Sequence, residues 1–72
     1  MNKILLSECK LKYKNGYGSY QIITIQLYHA YEIGEFILQE VNEDNTRVEN
    51  QVFYQIFDRA NEAFTRRVKG TL

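Results

Sequence analysis

The chain has 72 residues, enough for one domain over residues 1–72 and too few for a second core. An apolar share of 44% beside a charged share of 25% belongs to a globular chain that folds, and excludes a disordered or collagenous one. Nine basic and nine acidic side chains give a formal charge of zero, which removes whole-molecule attraction to a phosphate backbone or an anionic membrane and leaves only local charge effects.

One cysteine, Cys9, and one histidine, His29, exclude an intramolecular disulfide and a structural zinc site of four Cys/His ligands, so neither a metal nor another cofactor is expected. A domain this small and without staples gains from burying more surface by association. After Met1, Asn2 and Lys3 the apolar run Ile4-Leu5-Leu6 is too short for a signal peptide or a membrane span. With the unpaired thiol, this predicts a reducing cytoplasm and no membrane partner. The abundance of Lys, Asn, Ile, Tyr and Phe without Pro or Trp is the bias of AT-rich coding DNA, as in a low-GC bacterium or its phage.

The first element is a half-buried strand over residues 3–14, with Leu5, Cys9, Leu11 and Tyr13 on one side and Glu8, Lys10, Lys12 and Lys14 on the other. Asn15-Gly16-Tyr17-Gly18-Ser19 supplies the glycines of a hairpin loop. Tyr20 to Tyr28, rich in β-branched and aromatic residues, predicts the second strand. A two-residue Asn15-Gly16 loop would put lysines on the face of Ile23, Ile25 and Leu27. A five-residue loop instead sets Leu11 opposite Ile23 and Cys9 opposite Ile25, and is the register expected. His29 to Gly34 is the next turn. Glu35 to Val41 fits a third strand, although Ile33, Phe36, Ile37 and Val41 also fit helical spacing. Gly34, costing about 1 kcal/mol inside a helix, weighs for the strand. Asn42 to Asn45 connect onward.

From Thr46 the pattern predicts one long helix. Thr46 and Glu49 have capping-box spacing, Arg66, Arg67 and Lys69 suit the negative helix end, and Gly70 can stop it. Such a helix of roughly 24 residues would reach about 36 Å. The fold class is therefore α+β: a three-stranded antiparallel sheet followed by one long C-terminal helix packed across it, βββα. On that helix Val48, Val52, Ile56 and Ala63 form one apolar stripe, Phe53, Phe57, Phe64 and Val68 another, with Ala60 between them. Either the helix sinks deeply into its own core, or the phenylalanine stripe is left for a twofold copy or another protein.

Catalytic apparatus is scarce. Cys9 lies opposite Ile25 in the expected register, four positions before His29, too far to pair as thiolate and imidazole. Asn42, Asp44 and Thr46 alternate like calcium ligands, but Arg47 stands where the loop glycine belongs and Phe53 where the bidentate glutamate belongs. Gly16-Tyr17-Gly18 leads into a strand, not into the helix a phosphate-cradling loop requires.

Charge is unevenly placed: residues 1–30 hold four lysines and one glutamate, residues 31–50 six acids and one arginine. The leading expectation is a small non-enzymatic protein-interaction module, an inhibitor or regulator of phage or bacterial origin. It would use Phe53, Phe57, Phe64, Val68, Glu40, Glu43 and Asp44, with another protein or a second copy docking on the helix. The alternative is a single-stranded nucleic-acid binder using Lys10, Lys12, Lys14, Tyr20 and Tyr28, a basic face with rings for stacking bases.

Overall fold

In a computed structural model, which describes residues 2–14, 16–44 and 46–70 and all of their side chains except that of Tyr13, the alternating stretches become strands of one antiparallel meander. β1 (Ile4–Lys14), β2 (Tyr20–Ala30), β3 (Glu35–Asn42) and β4 (Arg47–Tyr54) lie in the order β1-β2-β3-β4, and α1 (Phe57–Gly70) follows. The fold is α+β with a C-terminal helix, but the sheet has four strands where the sequence predicts three. The backbone is 15 Å across its thinnest direction, the depth of one sheet with one helix laid on it.

The first hairpin has the predicted register. Leu11 faces Ile23, Cys9 faces Ile25, and Lys14 faces Tyr20 across the loop. Gly18 takes a φ of +84° there, which only glycine adopts cheaply. Leu5 does not share the face of Cys9 as the plain alternation predicts. A register shift between Leu5 and Ser7 sets it opposite Tyr28 instead, because one extra residue in a strand moves all that follows to the other side. β2 runs two residues past the predicted end, to Ala30. The turn to β3 closes through an Ile33 N–H donated to the Ala30 carbonyl at 3.2 Å, with Gly34 at a φ of +67°.

The long helix is overturned over its first half. Residues 47–54 form β4, paired to β3 through Val41–Val48, Leu38–Val52, Ile37–Phe53 and Phe36–Tyr54. Two physical causes explain the difference. Val48, Val52, Phe53 and Tyr54 favour a pleated, half-buried surface, and β3 would otherwise expose its ladder groups. Asn50, at a φ of +51°, is an irregularity that shifts register between Leu38 and Glu40. It puts Val48 and Val52 on opposite faces, although their spacing imitates a helix. Thr46 sits in the turn at a φ of +53°, not at a helix start.

The helix begins where Ala60 N–H donates to the Ile56 carbonyl at 3.2 Å, so Ile56 is its N-cap residue. Asp58 lies in the first turn, and Arg67 and Lys69 lie in the last, as the dipole favours. Isoleucine has no oxygen to offer the free N–H groups of that turn. Ile56→Asp should therefore raise stability by about 1 kcal/mol, read as a higher urea midpoint at an unchanged slope; an unchanged or lower midpoint would place the helix start elsewhere.

The core lies between α1 and one sheet face. Ile23, Ile25, Leu27, Leu38 and Ala60 are buried together, with Leu11, Phe36, Tyr54, Ala63, Phe64 and Val68 packed against them. Ala60 is fully buried, which lets the helix backbone approach the sheet closely. α1 lies over β2, β3 and β4. Arg67 ties its last turn down, donating to Glu40 Oε1 at 3.5 Å and to the Asn50 carbonyl at 3.2 Å.

Candidate interaction surface

In a meander the start of β1, the end of β2, the start of β3 and the end of β4 meet at one end of the sheet. The register makes this concrete. Leu5, Tyr28, Ile37 and Phe53 form one cross-strand row on the face without the helix, and Ile4, His29, Phe36 and Tyr54 form the adjoining row on the helix side. The β2–β3 turn and the entry to α1 lie at the same end. Ile4, Leu5, Leu6, Tyr31, Ile33, Phe53, Ile56 and Phe57 are all between 42% and 54% exposed. Such a gathering of half-exposed large apolar groups is what interaction sites present.

This end is stiffened from below by aromatic contacts. The His29 ring stacks on Phe36 at 4.6 Å, Phe36 meets Phe57 edge-on at 5.5 Å, and Tyr31 meets His29 edge-on at 6.5 Å. Ring pairs in these arrangements prefer a fixed geometry. The single imidazole thus belongs to a packed stack, about 13 Å along the strand from the Cys9 pair at ~3.3 Å per residue.

Of the predicted partner-binding residues, Phe53 and Phe57 reach the apolar end from opposite faces of the sheet, and the others lie elsewhere. Phe64 and Val68 pack onto the core, Phe57 lies at the helix start against Phe36, and Phe53 lies on the opposite sheet face across from Ile37. The predicted stripe assumed a helix through residues 53–57, and the strand-to-helix break disperses it. The acids are likewise separated. Glu40 holds Arg67 and accepts from Asn50 Nδ2 at 2.9 Å on the helix side. Glu43 pairs with Lys10 at 3.0 Å. Asp44 donates its backbone N–H to Asn42 Oδ1 at 2.9 Å within the turn.

The residues of the nucleic-acid alternative do share a face, since Lys10, Lys12 and Lys14 stand opposite Thr24, Ile22 and Tyr20. Lys10, Lys12, Tyr20 and Tyr28 each already have a partner within the chain. Lys12 Nζ lies over the Tyr20 ring at 4.7 Å and Lys3 Nζ over Tyr28 at 4.3 Å, contacts with their own modest cation–π stabilisation. The hydrogen bond and charge of Glu43 hold the Lys10 ammonium above the usual lysine range.

One feature has no counterpart in the sequence reading. Across the middle of the helix-free face, Gln51 Nε2 donates to Gln39 Oε1 at 3.0 Å, Gln39 Nε2 to Gln26 Oε1 at 3.0 Å, and Gln26 Nε2 to Glu8 Oε2 at 3.1 Å. One amide ladder spans all four strands and separates the apolar end from the lysines. Among the described residues, no buried side-chain nitrogen or oxygen lacks a partner, and no group of three or more His, Cys, Asp or Glu side chains comes together as a metal would require.

Among the described residues, no helix is long and apolar enough to cross a membrane. Comparison with protein-family models, with curated proteins and with solved structures gave no match.

Proposed function

We propose that this chain is a small non-enzymatic interaction module, a regulator or inhibitor that binds another protein through the apolar end of its sheet. The observation that carries this reading is the convergence there of eight large apolar side chains from the start of β1, the β2–β3 turn and the β4–α1 segment, each roughly half exposed. Tyr31 and Phe57 among them pack into the stack of His29 and Phe36, so those two need little ordering on binding. The partner offers a complementary apolar surface, and the polar ladder marks the inner rim of the contact.

The test compares proteins retained by the wild type with those retained by Ile33→Glu, Leu6→Glu and, as a control at the far end, Tyr17→Glu, a residue 96% exposed. The expected result is a stoichiometric partner kept by the wild type and Tyr17→Glu and lost by both end variants, each still folded by circular dichroism. A partner held equally by all four proteins would remove the apolar end as the site.

A further inference from the structure

The sheet has two rims, and they differ. Along β4, the irregularity at Asn50 breaks the regular ladder, and Arg67 occupies the Asn50 carbonyl; such devices keep a neighbouring strand from adding. β1 has eleven residues and β2 on one side only, and among the described residues no strand lies beyond it. The helix rests chiefly over the other three strands, so among the described residues no element covers the outer edge of β1.

We propose that two copies of this chain join antiparallel along β1, on a twofold axis normal to the sheet through Cys9, so that two four-stranded sheets become one of eight strands. An axis in that direction keeps each face on its own side, so a residue can oppose only a residue of the same face. That leaves few registers, and charge chooses among them. An axis at Glu8 sets two Glu8 carboxylates against each other, and an axis at Lys10 does the same with two ammonium groups. At Leu11 it sets Lys10 against the partner's Lys12. At Cys9, Glu8 stands opposite the partner's Lys10 and Lys10 opposite the partner's Glu8. About this axis the regular stretch pairs face to matching face, from Ser7 opposite the partner's Leu11 to Leu11 opposite the partner's Ser7.

Both charged groups have capacity left. Glu8 accepts from Gln26 through one oxygen, and Lys10 gives Glu43 one of its three protons. Opposite charges across neighbouring strands stabilise pairing and like charges oppose it. The register shift at Leu5 to Ser7 lies toward one end of β1, leaving Ser7 to Leu11 regular across the axis. The contact is independent of the apolar end, which stays exposed at both extremes of the paired sheet.

The experiment measures mass by sedimentation at high micromolar concentration for the wild type, Glu8→Lys, Lys10→Glu, an equimolar mixture of those two variants, and the double variant carrying both. The wild type should give about twice 8.6 kDa. Each single variant places like charges opposite each other twice and should self-associate roughly 100-fold more weakly. The mixture and the double variant restore opposite charges and should recover the dimer, which unfolded chains could not do. A wild type that stays at 8.6 kDa, a Glu8→Lys dimer of unchanged affinity, or single variants that dissociate without recovery in the mixture would each overturn the proposal.

Discussion

Replacing Leu38 with alanine should cost about 2–5 kcal/mol, the range for emptying a filled core position. Leu38 and its cross-strand neighbour Leu27 are both 0% exposed, and they share one cluster with Ala60 of the helix. The penalty has two parts: lost burial of the leucine, and a void that the sheet and helix can only partly close. In a chain of this size the core supplies only about 3–5 kcal/mol of net stability, so most Leu38→Ala molecules should be unfolded at body temperature. Urea unfolding followed by circular dichroism reads the change. Leu27→Ala should cost a similar amount, and because the two side chains touch, the double variant should lose less than the sum. A loss below about 1 kcal/mol for either leucine would contradict the packing of α1 over β2 and β3. If copies pair along β1, the wild-type midpoint should also rise with protein concentration.

Gln39→Ala should cost about 1–3 kcal/mol, more than a polar residue on a sheet face without a helix would ordinarily be worth. Gln39 is only 4% exposed, and it is the inner link of the ladder, accepting from Gln51 and donating to Gln26. Removing it takes away both bonds and leaves the Gln26 oxygen and a Gln51 N–H without their partners. Gln51→Ala, at the exposed outer rung, should cost well under half as much, because water replaces what it loses. Equal effects at the two positions in urea titrations would show that the four side chains do not act as a connected row.

The first hairpin was legible because its lysines punish the wrong parity: only loops of odd length keep Lys10 and Lys12 off the face of Ile23 and Ile25. β4 was not, for reasons that lie in its residues. Val48, Val52 and Ile56 recur every four positions, Thr46 and Glu49 have capping-box spacing, and the Asn50 irregularity erases the alternation that would reveal a strand. The true helix start gives no signal, since Ile56 cannot cap it. Losing β4 to the helix also hid both surface features, the apolar end and the glutamine ladder. Phe53 and Phe57 fall on one stripe only if a helix runs through them. The apolar end draws on segments far apart in sequence, and the Gln39–Gln51 contact exists only once β4 lies beside β3.

A positive φ at a single asparagine decides how far association by strand addition could go. Were both flanks of the sheet regular, each newcomer would offer a fresh template and the chain could polymerise into fibrils. With one flank spoiled by Asn50 and guarded by Arg67, growth has a single direction and a twofold encounter consumes it. The terminus of such an assembly is built into each copy.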